Sequence, residues 1–427
     1  MERCTSIPQA MREALPILAT LNGHGHEAVF VGGCVRDTVM GLALKDVDIA
    51  TSATPEQVVA LFAYCIPTGL QHGTVTVMQD GTGYEVTTYR KESVYEKHRR
   101  PESVAFISDL KEDLLRRDLT INAMAMRLSG DYYDPYGGMS DIQSKQVRCV
   151  GDAEARFQED ALRMLRALRF ASQFSFRIVY RTWRALLKHR ELLRYVAMER
   201  VQAELDKMIG GPAPHYAAAL LAGSGLLAYT LEPLPAARAL LAEAAKTERI
   251  QLDYLPALHG VDIRYAALMT QPSVTPQEAK ATLQALRMSG SRSGVIMAIV
   301  SLHHDMVVNR SPNEEKLRVS WIEAVLRYGQ VAAASWLHIA EASGREHAFW
   351  ADVPRMKLWL SQMEISSLKE LALDGNQLAA YWDRKPGAWM GKTLKRLLLL
   401  VALGELSNSQ EQLLKQVDRW KEETDES

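Results

Sequence analysis

Only four of the 427 residues are cysteine, and Cys4, Cys34, Cys65 and Cys149 form no C-x-x-C pair and no metal-ligand spacing. That excludes a disulfide scaffold and a structural zinc site, and the thiols read as free in a reducing compartment. Long apolar runs are missing as well. The longest, Leu397 to Leu403, is far short of the ~20 residues that a membrane-spanning helix needs. The opening MERCTSIPQAMREALPIL lacks the unbroken apolar stretch of a secretory signal, so a cytoplasmic protein without membrane association is expected. Neither charge sign is in surplus: 50 Lys and Arg stand against 51 Asp and Glu, a net charge of −1. A polyanion site must therefore come from local clustering. What is abundant is ordinary core material, 47% hydrophobic beside 24% charged residues. This excludes intrinsic disorder, and at about 150 residues per domain it predicts roughly three domains.

Residues from about 28 to 150 read differently from the rest. Short β-rich runs (AVFVGG, DVDIAT, GTVTVM, YEVTTYR, VRCVG) alternate with turn signals, and their Val, Thr and Tyr content suits strands. Thr54-Pro55-Glu56-Gln57 is a capping box with proline at the first helical position, which predicts one helix among them. After about residue 152 Leu, Ala, Arg and Glu recur at helical spacing, and similar start signals stand at Thr275-Pro276-Gln277-Glu278 and Ser311-Pro312-Asn313-Glu314. Breaks are expected near Gly210-Gly211-Pro212, Gln271-Pro272-Ser273 and Lys385-Pro386-Gly387, and the acidic end EETDES is expected to fray. The fold class is α+β: a small mixed sheet with helices, then an all-helical remainder.

Asp46 and Asp48 lie in KDVDIAT. Read as a strand, that run puts both carboxylates on one face, and such a pair of hard oxygen ligands suits Mg²⁺. Upstream, Gly32-Gly33-Cys34-Val35-Arg36-Asp37 follows the strand AVFV. The glycines allow close backbone approach to a phosphate, and Arg36 adds a bidentate donor. Glu85, in YEVTTYR, is a candidate third carboxylate. Between Lys145 and Arg200 there are 13 Lys and Arg but six acids, a local excess of +7. Such an excess is the electrostatic footprint expected for a triphosphate and an RNA end. His303-His304-Asp305 lacks the further His and Asp partners of a metal-binding HD pair and reads as a surface helix, and Asn22-Gly23-His24-Gly25 reads as a turn.

Gly-Gly-x-Val-Arg-Asp followed by Asp-x-Asp resembles the head of the nucleotidyltransferase superfamily that includes DNA polymerase beta. Arg116-Arg117-Asp118-Leu119-Thr120-Ile121-Asn122-Ala123 resembles the R-R-D-x-x-x-N-A motif of class II tRNA nucleotidyltransferases and bacterial poly(A) polymerases. Asp134-Pro135-Tyr136-Gly137-Gly138 is similar to that family's head-to-neck hinge. Glu159-Asp160-Ala161-Leu162-Arg163 is similar to its E-D-x-x-R motif, and KPGAWMGKTLKRLLLLVALGEL to the C-terminal region of Gram-positive-type CCA-adding members. The resemblance runs in order from about residue 28 to 415.

The resemblance implies a nucleotidyltransferase head over residues 1–145, a helical neck over 146–210, a body over 211–310 and a tail over 311–427. It implies nucleotidyl transfer from CTP and ATP to a tRNA 3′ end, with release of pyrophosphate and use of two Mg²⁺ ions held by Asp46 and Asp48. Asp46, Asp48 and Glu85 are then the catalytic candidates. Gly33, Arg36, Arg117, Asp118, Asn122, Asp160, Arg163, Arg166 and Arg169 are the nucleotide-binding candidates. A carboxylate and a guanidinium suit the amine and acceptor nitrogen shared by cytosine and adenine, and residues 160 and 163, three apart on a helix, are expected to be neighbours on one face. For Arg166 and Arg169 the bland alternative is a solvated stripe opposite Leu162, Leu165 and Leu168. The stretch between the carboxylate and R-R-D motifs, with Arg99-Arg100-Pro101 intact, has the full length that accompanies complete CCA synthesis in the family. An A-adding enzyme, a poly(A) polymerase and, more remotely, a non-catalytic RNA-binding protein are the alternatives. Association into a homodimer is left open.

Overall fold

Period-two alternation builds the first part of the molecule. In the computed structural model, which describes residues 4, 6–92, 95–96, 100–101, 104–238, 252–308, 311–344 and 352–425, Ala28 and Phe30 face one side of a sheet and Val29 and Val31 the other. The chain divides into two units, Met1–Leu234 and Pro235–Ser427.

The first unit opens with helix α1 (Gln9–Gly23), strand β1 (Ala28–Val31), helix α2 (Gly33–Val39), strand β2 (Asp48–Thr51), helix α3 (Pro55–Leu61) and strands β3 (Cys65–Gly69), β4 (Thr74–Gln79) and β5 (Thr82–Thr88). Short strands β6 (Arg90–Glu92), β7 (Tyr95–Glu96), β8 (Arg100–Pro101) and β9 (Val104–Phe106) pair as β6 with β9 and β7 with β8. Then come α4 (Leu110–Leu115), β10 (Ala125–Arg127), β11 (Tyr132–Tyr133) and α5 (Gly138–Gln143). Seven strands form one mixed sheet in the order β11-β10-β1-β2-β5-β4-β3, in which β2 and β5 run parallel. Met11, Ile17 and Leu18 of α1 pack on one face with Phe30, Ile49, Val75 and Val86. Leu110 and Leu114 of α4 pack on the other with Val29, Val31, Ala50 and Tyr89. The α+β class holds, and so do the expected strands AVFV, TVTVM and YEVTT.

Two local expectations are corrected. The strand expected over KDVDIAT begins only at Asp48, because its partners are Val31 of β1 and Glu85 of β5 and pairing starts there. Asp46 lies ahead of the strand, so strand alternation does not place it. VRCVG is a two-residue strand, β12 (Gln146–Val147), paired in parallel with β13 (Arg177–Ile178) outside the main sheet, plus a bridge from Cys149 to Leu119. Of the Arg99-Arg100-Pro101 stretch, Arg99 lies outside the described residues.

Helices α6 (Ala153–Glu159), α7 (Leu162–Phe174), α8 (Tyr180–His189), α9 (Met198–Ile209) and α10 (Pro214–Ser224) complete the unit. The break at Gly210-Gly211-Pro212 falls between α9 and α10. Asp160 is not helical: it ends α6 at φ −133° and ψ 105°. Residues 160 and 163 therefore do not share a helix face.

Helices of the second unit include Val261–Met269, Pro276–Ala285, Gly290–Val308, Glu314–Tyr328, Gln330–Ser343, Val353–Gln362, Gly375–Tyr381, Ala388–Ala402 and Gln410–Asp425. The other two expected breaks fall between helices there. The Thr54 and Thr275 capping boxes form, each with both reciprocal hydrogen bonds. The third start signal is shifted: Asn313, not Ser311, caps its helix by accepting from the Lys316 amide. The last helix continues to Asp425, and the final two residues of the acidic end lie outside the described residues. Leu397, Leu398 and Val401 are buried with Leu373, Leu378 and Leu413, and among the described residues no helix is long and apolar enough to cross a membrane. His303 accepts from the Trp336 indole, and Asp305 accepts from Arg327 and Tyr328. His303 and Asp305 thus serve helix packing, and His304 is exposed.

Candidate active site

The turn from β1 into α2 brings a carboxylate and a guanidinium against bare backbone. Gly32 adopts φ 71° and ψ −129°, which glycine tolerates and other residues rarely do. A Cβ there would lie 3.0 Å from Arg117 Nη1 and 3.5 Å from Asp48 Oδ2, so only glycine lets these groups close over the turn. Gly33 starts α2.

Burial pushes the Asp48 carboxyl above the usual carboxylate range, Arg117 pulls it back, and Glu85 and then Asp46 push it up again. Asp46 and Glu85 are themselves exposed. Asp48 therefore senses both other carboxylates, although among the described residues no group of three or more His, Cys, Asp or Glu side chains forms a ready-made metal cage. Arg117 is steered by Asp113, which is 1% exposed and also accepts from Arg116 Nε at 2.9 Å. The buried Nε of Arg117 has no hydrogen-bond acceptor.

A buried polar chain runs from α2 to α7. Arg36 donates to Asn122 Oδ1 at 2.6 Å and to Asp37 at 2.9 Å. Asn122 donates to Asp118 Oδ1 at 3.1 Å, and Asp118 Oδ2 accepts from Arg166 Nε at 2.6 Å. Burial alone would raise the Asp118 carboxyl, but Arg166 and Asn122 outweigh it and hold the group at about 2. The motif residues Arg36, Asp118, Asn122 and Arg166 thus form one connected network, which the sequence did not reveal.

The expected Asp160–Arg163 pair is resolved differently. Asp160 Oδ1 accepts from the Leu162 amide at 3.0 Å, capping α7, and its Oδ2 accepts from Arg200 at 2.9 Å. Arg163, largely buried, donates to Glu159 at 2.5 Å and to the Arg116 carbonyl at 2.7 Å. Arg169 donates to Glu204 at 2.6 Å and to Gln173 at 3.1 Å. The solvated-stripe alternative for Arg166 and Arg169 is thereby overturned: each is bonded to a buried acid. The +7 excess is likewise reduced, because Asp118, Asp141 and Glu204, outside that window, pair with Arg166, Arg148 and Arg169. Arg177, Arg181 and Arg184 stay exposed.

At the hinge motif, Asp134 accepts from the amides of Gly138 and Met139 at 2.8 and 2.9 Å. A Cβ on Gly138 would come within 2.3 Å of the Thr120 carbonyl, so this glycine lets α5 pack on the R-R-D segment. Sequence reasoning missed Asp113, Phe170, Phe174, Arg200 and Glu204. Asp113 carried a usable signal, standing three and four residues before Arg116 and Arg117. Asp160, two residues ahead of Leu162, also carried a local signal, since an aspartate readily accepts from an amide two positions on. Arg200 and Glu204 are brought in by tertiary packing alone.

Comparison with known proteins agrees along the whole chain. The family model for the poly A polymerase head domain matches residues 28–148, one described as "Probable RNA and SrmB-binding site of polymerase A" matches 175–239, and a tRNA nucleotidyltransferase domain 2 matches 259–417. A CCA-adding enzyme of Geobacillus thermodenitrificans is 37% identical over 406 residues, which cover 94% of this chain and 95% of that protein. One of Bacillus pumilus is 37% identical over 398 residues, covering 93% and 94%. The crystal structure of the Bacillus stearothermophilus CCA-adding enzyme in complex with CTP superposes with a TM-score of 0.78 at 32% identity, covering 98% of this chain and 100% of that one. With glycine turn, carboxylates, R-R-D network and arginine helix all in the order of that family, the chain belongs to the class II CCA-adding enzymes, of the Bacillus type.

Proposed function

We propose that this CCA tRNA nucleotidyltransferase carries out its chemistry at the Gly32–Asp48–Arg117 turn and selects nucleotides along α7. The tRNA 3′-hydroxyl oxygen bonds to the α-phosphorus of CTP or ATP, the bond from that phosphorus to the bridging oxygen breaks, and pyrophosphate leaves. Little covalent work falls to the side chains; positioning and charge stabilisation dominate.

The donor set fits Mg²⁺. Asp46 and Asp48 are hard oxygen ligands, and a half-buried carboxylate that Glu85 and Asp46 push up, with Arg117 pulling it back, suits a further cation. Bound there, Mg²⁺ would activate the attacking hydroxyl and stabilise the leaving oxygen. Asp46 and Asp48 hold that charge, with Glu85 adjusting the field. Arg117, whose Nε has no protein acceptor, offers a donor to the triphosphate, and Gly33 and Arg36 line the turn beside it. Asp118 and Asn122 set the positions of Arg36 and Arg166. Asp160 and Arg163, at the start of α7, read the base edge, which requires Asp160 to exchange its Arg200 partner for the nucleotide amine.

The observation that carries this reading is the close approach of Asp48 and Arg117 over Gly32. The test is end addition on tRNA transcripts lacking three, one or none of the terminal nucleotides, each with a single nucleoside triphosphate. CTP should extend the first, ATP the second, and neither the third. Extension of only the second, by ATP, would make the chain an A-adding enzyme, and untemplated runs of A a poly(A) polymerase. Asp46→Ala should abolish incorporation with an unchanged melting curve, and near-normal turnover by that variant would eliminate the carboxylate mechanism.

A further inference from the structure

Helix α7 gathers three guanidinium groups around one buried ring. Phe170 is 4% exposed. The Cζ of Arg169 lies 3.8 Å from its ring centroid, that of Arg36 5.1 Å and that of Arg166 5.6 Å. Arg36 comes from α2 and also lies 5.0 Å from Phe174, whose ring stacks on Phe170 at 6.0 Å.

Three like charges around one ring repel. Asp37 and Asn122 bind Arg36, Asp118 binds Arg166, and Glu204 and Gln173 bind Arg169. Those partners are hydrogen-bond acceptors, and they come from four different segments. Among the described residues, the Phe170 ring lies within 6 Å of all three guanidinium carbons. The negative face of its π system attracts a guanidinium, which an aliphatic side chain of similar bulk does not. The ring is also rigid, so it fixes the spacing between the arginine beside the Gly-Gly turn and the arginines of α7.

We infer that Phe170 is a positioning residue for the incoming nucleotide, holding Arg36, Arg166 and Arg169 in one arrangement through its ring. This rests on the reading above that these arginines meet the nucleotide. Phe170 lies outside every motif segment that marked the site in the sequence.

The test is steady-state kinetics of the full chain with CTP and with ATP. Phe170→Leu and Phe170→Met keep apolar bulk and remove the ring, and Phe170→Tyr keeps the ring. The first two should raise KM for both nucleotides about tenfold with kcat changed less than about threefold, and the tyrosine variant should hold KM within about twofold. Phe174→Leu, which takes one of two rings from Arg36 alone, should give a smaller rise in KM. A packing role alone would lower the melting temperature and the active fraction and leave KM untouched. An unchanged KM in folded Leu and Met variants overturns the inference, and so does a tyrosine variant that behaves like leucine. Arg36→Gln and Arg166→Gln separate the two readings. A raised KM in these with none at position 170 overturns the ring's role alone. An unchanged KM in both overturns the nucleotide-binding reading and the inference with it.

Discussion

Asp118 shows how one side chain serves both stability and the site. It is 7% exposed and accepts from Asn122, Arg166 and its neighbour's amide. Its carboxyl is held at about 2 against an ordinary 3.8. The unfolded chain therefore takes up the proton first as pH falls, and folded stability rises with pH through that interval. The contribution, about 2 kcal/mol, is fully present above roughly pH 4 and disappears towards pH 2. Asp118→Asn should flatten the pH dependence of the urea midpoint in this window. At pH 7 it should cost about 2 kcal/mol, because the half-buried Arg166 loses its charged hydrogen-bond partner. Unaltered acid sensitivity in that variant would show that the folded carboxyl is not depressed.

Helix starts were legible wherever the chemistry was local. Thr54 and Thr275 sit three residues before a Gln and a Glu that reach back to them, and both boxes form as read. Ser311 matched the same pattern, yet Asn313 takes the cap while Ser311 Oγ accepts from the Asn313 amide. Asn313→Ala should then cost about 1 kcal/mol of stability and Ser311→Ala well under half of that, measured by thermal unfolding. Equal losses would restore the serine cap. Where an element's limit depends on distant partners the sequence was silent. β2 starts at Asp48 because Glu85 and Val31 lie opposite it, and nothing within KDVDIAT reports that. The arginines at 163, 166 and 169 were visible as a series that turns by about 60° per step. Their separate acids on α6, α9 and the R-R-D segment were not.

Across the whole molecule the charges nearly cancel, with a net of −1, so tRNA affinity must depend on a few exposed cations. Arg177, Arg181 and Arg184 are exposed within residues 175–239, where the RNA-binding family model matches. The arginines of α7 are instead already paired with acids. Affinity for tRNA should fall steeply with added salt, and replacing Arg181 and Arg184 by Gln should reduce the slope of log K against log salt by about 2. KM for CTP should be far less affected by that double replacement. A slope unchanged in filter binding would move the RNA contact to another surface.

The bonds that complete the active centre join residues far apart along the chain. Arg36 to Asn122 spans 86 positions, Asp118 to Arg166 spans 48 and Asp160 to Arg200 spans 40. Closing loops of that length consumes chain entropy before any of these contacts can form. During synthesis, a ribosome-bound chain that has not yet released α9 lacks Arg200 and Glu204. On the proposed assignment, catalytic competence arrives only once α9 has emerged and packed against α7, after the sheet and its flanking helices exist.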